Sequence, residues 1–110
     1  CFKNSTSTIQ DCQSLKNKSH GIQVSDSSTT NLTKCQFHEN EWSGIACFNN
    51  STSTIQDCQS LKNKNHGIAI TDSSTTNLTK CQFHENEWSG IACFKNSTST
   101  IQDCQSLKNK

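Results

Sequence analysis

Residues 21–45 read GIQVSDSSTTNLTKCQFHENEWSGI, and the Gly-Ile pair that opens this stretch also closes it. The same arrangement returns every 23 residues along the 110-residue chain. A strict period between 20 and 50 residues indicates a solenoid, in which each coil buries its apolar face only against its neighbours. The period is seen most simply in five cysteines, Cys12, Cys35, Cys58, Cys81 and Cys104.

Alternate coils are more alike than adjacent coils, so the complete repeat is 46 residues long. Residues 1–46 recur almost unchanged as residues 47–92, and a partial third copy covers residues 93–110. We therefore expect one array of about five coils over residues 1–110. Because neither terminus carries an amphipathic or charged cap, the chain is expected to be a window of a longer array or a unit that stacks end to end.

The composition is too polar for a conventional core of this length, with 29% hydrophobic and 17% charged residues and no Arg, Pro, Met or Tyr. The net charge of +1 argues against a strongly basic nucleic-acid binder. No apolar run approaches the length of a membrane span, and no signal-peptide pattern opens the chain. Periodicity gives the many Ser, Thr, Asn and Gln residues another role, as members of ladders that run along a solenoid.

A period of 23 residues suits either a parallel β-helix or a leucine-rich repeat. Residues 32–40 fit the start of a leucine-rich repeat, but the helical or 3₁₀ return that should follow has no apolar period of 3.6 residues. Three short strands per coil are predicted instead, separated by polar corners. In the second coil they are centred on residues 22–24, 30–32 and 35–37.

The pattern G-I-x-V-x-x-S-S-x-x-x-L-x-x-C-x-F-x-x-N-x-x-x-G-I over residues 21–45 resembles the right-handed parallel β-helix repeat. That repeat is found in pectate-lyase-like enzymes, polysaccharide epimerases and lyases, and bacterial surface proteins. The likeness covers the whole chain and implies an all-β fold with a right-handed coil. Because the family hosts many activities, the resemblance does not choose among them.

Stacked parallel coils lie about 4.8 Å apart, so each repeated position becomes a column of like residues. The cysteine column is expected to point inward as mostly reduced thiols, beside a position that alternates between Ser and Phe. The Gly before each Ile is expected to supply a backbone conformation that a Cβ would disfavour. A second column should stack its side-chain amides at a corner, and it consists of Asn17, Asn40, Asn63, Asn86 and Asn109.

Charged residues alternate in sign along their columns. Identical coils would place like charges about 4.8 Å apart, whereas alternation places each charge between two opposite ones. We expect these ladders to fix the register of the coils. The Lys16 column is Lys16, Glu39, Lys62, Glu85 and Lys108; the Lys18 column is Lys18, Glu41, Lys64, Glu87 and Lys110; the Asp11 column is Asp11, Lys34, Asp57, Lys80 and Asp103. The remaining four charges share the Lys3 column, which is Lys3, Asp26, Asn49, Asp72 and Lys95.

No catalytic, metal or cofactor site is expected. Arg is absent, and the carboxylates alternate with lysines instead of converging as polysaccharide-processing chemistry requires. A metal site at Cys35 and His38 is disfavoured because the thiol should point inward and the imidazole outward. The other histidine column, His20 and His66, is expected at a surface or corner.

Trp42 and Trp88 are the two tryptophans, at a corner position that holds Ser19 and Asn65 in other coils. Two coils separate them by about 9–10 Å, near the repeat of an extended β-linked disaccharide, so they could form a row that stacks on sugars. The alternative is that each ring covers a corner and packs over the smaller residue of the adjacent coil. The Ser-Thr columns are likewise interpreted as turn hydroxyls that satisfy backbone groups, in preference to an ice- or glycan-facing surface.

The leading hypothesis from sequence is a structural, non-catalytic β-solenoid that forms the shaft of an extracellular fibre, stalk or adhesin. Its partners would be neighbouring repeats of the same chain or end-to-end copies that build a filament. The rival hypothesis is a carbohydrate-binding module with glycans as partners, and a third is a fragment of a polysaccharide-processing enzyme. Nucleic acid is not expected as a partner, and the expected location is extracellular or at the cell surface.

Overall fold

Each coil of the chain contributes one short strand to each of three parallel sheets. The computed structural model describes residues 3–107 and residue 109. Over those residues the chain forms 14 strands and no helix. Four complete three-stranded coils are followed by two strands of a fifth, a minor difference from the predicted five coils.

The strands stack in an order that repeats every third element. Sheet A consists of β1 (Thr6–Gln10), β4 (Thr29–Thr33), β7 (Thr52–Gln56), β10 (Thr75–Thr79) and β13 (Thr98–Gln102). Sheet B consists of β2 (Gln13–Leu15), β5 (Gln36–His38), β8 (Gln59–Leu61), β11 (Gln82–His84) and β14 (Gln105–Leu107). Sheet C consists of β3 (Ile22–Val24), β6 (Ile45–Cys47), β9 (Ile68–Ile70) and β12 (Ile91–Cys93).

The register of the three sheets follows the sequence period. Ile9 pairs with Leu32 in sheet A, Ser14 with Phe37 in sheet B and Val24 with Cys47 in sheet C, each 23 residues apart. All strand pairs are parallel. The prediction of a parallel β-solenoid with 23-residue coils is therefore confirmed.

Alternation of inward and outward side chains builds the core. In β4 and β7 the burial pattern alternates strictly, as expected for strands with one solvated face. The buried aliphatic and aromatic residues of neighbouring coils stack into one continuous cluster. Phe37 and Phe83 are buried opposite Ser14, Ser60 and Ser106, so large and small residues alternate along sheet B as predicted.

The sheet B strand begins one residue later than predicted, because the chain turns sharply before it. Lys34 has a φ of 54°, in the left-handed region, and Cys35 follows it at the corner between sheets A and B. The strand in the second coil then runs over Gln36–His38. Cys35 still points inward and is buried.

The glycines serve close packing and not an unusual conformation, so the expected backbone role was wrong. None of the four has a φ in the left-handed region. A Cβ on Gly21 would lie 2.5 Å from the carbonyl oxygen of Gly44 and 3.1 Å from Cδ1 of Phe37. Left-handed φ values occur instead at non-glycine corner residues, in the four columns that begin with Lys3, Asn4, Asp11 and Lys16.

Candidate functional site

The asparagine column forms an unbroken hydrogen-bonded ladder at the corner after sheet B. Nδ2 of Asn40 donates to Oδ1 of Asn63 at 2.9 Å, and the backbone N of Asn40 donates to the same oxygen at 3.0 Å. The amide–amide bond repeats from Asn17 to Asn40, from Asn63 to Asn86 and from Asn86 to Asn109 at 2.8–2.9 Å. The predicted stack of amides is confirmed.

The amides also satisfy backbone carbonyls inside the corner. Nδ2 of Asn63 donates to the carbonyl oxygen of Phe37 at 3.2 Å and to Oγ of Ser60 at 3.1 Å. Oγ of Ser60 in turn donates to the carbonyl oxygen of Gly67 at 2.6 Å. Asn63 is fully buried, so these partners replace the water that its amide and the neighbouring backbone would otherwise require.

The cysteine column lies inside the coil next to the Asp11 column. The seven cysteines that the structure describes are free thiols, and Cys35, Cys58 and Cys81 of this column are buried, whereas Cys12 in the outer coil is exposed. Burial raises the pKa of the Cys58 thiol to about 12 and that of Cys81 to about 11. These side chains therefore stay protonated and pack as small apolar groups.

Three of the four charge columns lie on left-handed corner residues. The backbone N of Lys16 donates to the carbonyl oxygen of His38, and that of Glu39 donates to Leu61, so members of the Lys16 column are one coil apart. The Lys18 column follows the asparagine ladder, where the backbone N of Glu41 donates to Asn17 at 2.9 Å. Alternation of charge is thus built into the register. Lys108 and Lys110, the last members of two columns, lie outside the described residues.

Direct ion pairing occurs in the Lys3 column. Nζ of Lys95 lies 3.6 Å from Oδ1 of Asp72, and Nδ2 of Asn49 donates to Oδ1 of Asp26 at 3.1 Å. Within residues 3–107 and 109, no other Lys–carboxylate pair of the columns comes within 4.0 Å. Because most ladder charges are exposed and not in contact, their attraction acts through solvent and is individually weak.

The tryptophan corner is the most exposed aromatic surface in the described part of the chain. Trp42 and Trp88 are 53% and 58% exposed, and they occupy the same corner two coils apart. Each indole makes a T-shaped contact with an imidazole of the preceding coil, with ring centroids 5.1 Å apart for His20–Trp42 and 5.4 Å for His66–Trp88. The corner therefore presents alternating imidazole and indole rings along the solenoid.

The contact between these tryptophans and histidines was not predicted from the sequence. The sequence did contain a signal for this contact: position 43 occupies the same column as His20, one coil later, and Trp42 is the residue before position 43. The structure links the same positions, since the backbone N of Ser43 donates to Nδ1 of His20 at 3.2 Å. The neutral ring consequently carries its proton on Nε2.

Partial burial lowers the pKa of His20 and His66 below the ordinary value of 6.5. The imidazoles at the corner are therefore neutral at physiological pH. The corner thus presents two exposed indole rings, each beside a neutral imidazole that has one N–H donor.

The remaining candidates are spread around the coil. His38 lies beside Glu39, with Nδ1 3.3 Å from Oε1, while the Cys35 thiol points into the core. No group of three or more His, Cys, Asp or Glu residues that could hold a metal ion occurs over residues 3–107 and 109. The same described portion of the chain contains no helix that could span a membrane.

The serine column at the corner before sheet A satisfies backbone groups. Oγ of Ser28 accepts a hydrogen bond from the backbone N of Ser5 at 3.3 Å, and Oγ of Ser74 accepts one from Ser51 at 3.1 Å. The predicted role in the turns is thus confirmed for the serines of the Ser-Thr columns. The next residue in each coil, such as Thr52 and Thr75, faces solvent.

Comparison with known proteins agrees with this geometry. One family model, described as a right handed beta helix region, matches residues 1–110. No curated protein and no solved structure matches the chain significantly. The match covers all of the coils in which the ladders and the tryptophan corner lie.

Proposed function

The chain belongs to the right-handed beta helix family, and within that fold we propose that it is a structural, non-catalytic repeat that forms the shaft of an extracellular fibre, stalk or adhesin. The observation that carries this proposal is the asparagine ladder. It runs without a break from Asn17 to Asn109 and joins every coil to the next. A ladder of this kind stabilises an elongated object, because each coil is held only by its neighbours.

The placement of the carboxylates supports a role without catalysis. General acid and base chemistry on sugars needs two carboxyl groups arranged around one bond. In this chain Glu39 has lysines as its neighbours on both sides of its column, and Asp57 is likewise placed between Lys34 and Lys80. Within each of these columns an acid therefore has lysines, and not a second acid, in the coils above and below it.

Immunogold electron microscopy of cells that express the gene tests this proposal. An antibody raised against the folded chain should label thin structures that project from the cell surface. Cells from which the gene has been deleted provide the control for the label. Gold confined to the cell interior, or spread evenly without any surface structure, would contradict the proposed role.

A carbohydrate-binding module is the second candidate, and the exposure of the tryptophan corner favours it. Trp42 and Trp88 both leave more than half of their surface to solvent although smaller residues fill the same corner in other coils. Their separation of two coils, about 9–10 Å, suits alternate sugar rings of a β-linked chain.

Glycan-array binding tests the second candidate. The Trp42→Ala, Trp88→Ala double variant should lose binding, while the Trp42→Phe, Trp88→Phe variant should retain most of it because an aromatic face remains. Absence of binding by the unmodified chain, or equal binding by the alanine variant, would rule out the tryptophan corner as a sugar platform.

A further inference from the structure

The outer face of sheet C is a strip without Lys, Asp or Glu that lies between two columns of alternating charge. Each of its four rows, a row being one strand with the residues that flank it, has a member of the Lys18 column before the strand and a member of the Lys3 column after it. In β6 and β9 both neighbours of the middle residue belong to the core cluster, so the middle residue points outward. The middle residues of the four rows are Gln23, Ala46, Ala69 and Ala92.

Aromatic side chains cover this face. Ala46 is only 2% exposed although it points outward, so larger side chains lie over it. The ring of His66, before β9, contacts the rings of Trp88 and of Phe94, whose residues flank β12 on opposite sides, with centroids 5.4 Å and 5.8 Å apart. The rings therefore meet across the outside of sheet C, and Trp42 leaves 53% of its surface exposed. An exposed aromatic surface with a charged rim is typical of an interaction site.

The rows of this face alternate between two shapes. We call β6 and β12, which have Trp on one side and Phe on the other, indole rows. We call β3 and β9, which have His on one side and Ser or Thr on the other, imidazole rows. The bulky rows thus form a ridge at every second coil, about 9–10 Å apart. A second sheet can pack closely on such a face only when its ridges lie opposite the shallower rows.

Charge alternates with the same period as shape. In the Lys18 column every imidazole row carries Lys and every indole row carries Glu. In the Lys3 column the imidazole rows carry Asp26 and Asp72, and the indole rows carry Asn49 and Lys95. An imidazole row placed opposite an indole row therefore pairs opposite charges, or a charge with Asn, in both columns. Two rows of the same kind would bring like charges together in the Lys18 column.

From these two alternations we propose that the outer face of sheet C is a lateral docking surface for a second copy of the chain, which packs face to face with its solenoid axis reversed. A two-fold axis along the strand direction, between an imidazole row and an indole row, generates this pair. Each column then faces itself with its rows in reverse order. With the axis between β6 and β9, the facing pairs are Lys18–Glu87, Glu41–Lys64, Asp26–Lys95, Trp42–Asn65 and Phe48–Thr71.

A parallel pair would satisfy only one of the two conditions. With both solenoid axes in the same direction, the Lys18 column of one copy faces the Lys3 column of the other. In equal register Lys64 then faces Asp72, but every indole row lies on an indole row. A shift by one coil separates the indole rows but sets Lys64 opposite Lys95. The reversed pair meets both conditions, and it needs only neighbouring rows, so it can form anywhere along an array.

Self-association in solution tests the surface. Sedimentation equilibrium at low ionic strength should show a reversible monomer–dimer equilibrium at concentrations up to about 1 mM. The Trp42→Ser, Trp88→Ser variant, which gives the indole rows the residue of the β3 row, should associate more weakly by roughly tenfold or more. Its melting temperature should change little, because both indoles are more than half exposed. A chain that stays monomeric, or a variant that associates as strongly as the unmodified chain, would overturn the proposal.

Exchange of the charges along the Lys18 column tests the reversed direction. The exchanged chain keeps the alternation within its own column, and it carries Lys18→Glu, Glu41→Lys, Lys64→Glu, Glu87→Lys and Lys110→Glu. Because the column faces itself in the reversed pair, the exchanged chain should still associate with its own copies. A mixed pair with the unmodified chain would either bring like charges together or place indole rows on indole rows.

Fluorescence energy transfer between labelled chains should therefore show mixed pairs that are weaker than self pairs by roughly fivefold or more at low ionic strength. Mixed pairs as strong as self pairs, or an exchanged chain that no longer associates with itself, would contradict the reversed arrangement. The inference goes beyond the proposed shaft, because two solenoids can pair wherever the chain is located. Neither experiment bears on surface location, so the proposed structural role is judged separately.

Discussion

At the scale of single residues, the asparagine ladder combines two functions that a polar side chain seldom has in a core. Each amide bonds the next amide along the solenoid and also satisfies backbone groups of the preceding coil. Asn40, Asn63 and Asn86 are all buried, so every polar atom that loses a partner there is also cut off from water.

Replacing Asn63 by Ala should lower the free energy of unfolding by about 2–4 kcal/mol, because it leaves the backbone N and the Nδ2 of Asn40 without their shared acceptor. Urea unfolding followed by circular dichroism measures the change. Asn31→Ala, on the exposed face of sheet A, is the matched control and should change the free energy by less than about 0.5 kcal/mol. Equal effects of the two substitutions would contradict the role of the ladder.

The corner histidines should make the fold less stable in mild acid. Partial burial lowers the pKa of His20 and His66 in the folded chain, while the unfolded chain keeps the ordinary value of 6.5. Below that pH the unfolded chain therefore binds more protons than the folded chain, and the free energy of unfolding decreases as the pH falls. Protonation of Nδ1 would also break the hydrogen bond from the backbone N of Ser43 to His20.

Thermal unfolding between about pH 7.5 and pH 5 measures this dependence around the ordinary histidine pKa. The His20→Gln, His66→Gln variant removes both imidazoles and should show a flatter profile over the same range. The melting temperatures of the two proteins at the upper pH serve as the reference. A variant whose melting temperature falls as steeply as that of the unmodified chain would show that other groups cause the loss.

At the scale of the elements, the short strands depend on a close approach of neighbouring coils at the glycine corner. A Cβ on Gly67 would lie 2.6 Å from the carbonyl oxygen of Gly90, and this neighbour is backbone that cannot rotate away. Gly67→Ala should therefore force the coils apart and lower the free energy of unfolding by about 1–3 kcal/mol. Chemical unfolding measures the loss. Ala69→Gly is the control, because it makes the reverse exchange of Gly and Ala two residues away, in β9. A Gly67→Ala variant as stable as the unmodified chain would contradict the close packing.

Reversal of charge in one column tests the alternation directly. The Glu39→Lys, Glu85→Lys variant turns the Lys16 column into five lysines and should destabilise the fold by about 1–2 kcal/mol at low salt, with a smaller effect at high salt. The Glu39→Gln, Glu85→Gln variant removes the attraction without adding repulsion. Its free energy of unfolding should lie between those of the unmodified chain and the lysine variant. Unchanged stability of the lysine variant at low salt would count against the charge ladders.

Much of this architecture could be predicted, because a strict period assigns residues to columns before any coordinate is known. The stacked amides of Asn40 and Asn63 and the alternation of Ser14 and Phe37 follow from the register alone.

The corners could not be predicted in the same way. Lys34 and Glu39 adopt left-handed φ values that their side chains do not favour, and only the surrounding stack of coils imposes them. The role of Gly21 was misjudged because close approach depends on the path of the next coil.

At the scale of the whole molecule, stability should grow with the number of coils, since each coil is held by the coils on either side. The last row is only partly covered, as the half-exposed Ile101 shows, while the equivalent Leu78 is buried inside the stack. An added repeat covers the last row and should bury Ile101 as Leu78 is buried. Adding a copy of residues 65–110 after Lys110 gives a seven-row chain, with seven strands instead of five in sheets A and B.

The seven-row chain should unfold with a free energy larger by about 2–7 kcal/mol than the five-row chain, as expected for 46 further residues in a cooperative fold. The dependence of that energy on urea concentration should also steepen, because more surface becomes exposed in one transition. A chain extended by a scrambled sequence of the same composition has no register with sheet A and should gain nothing. If the repeat extension were no more stable than the scrambled one, the coils would not support one another, and a shaft built from them would lose its physical basis.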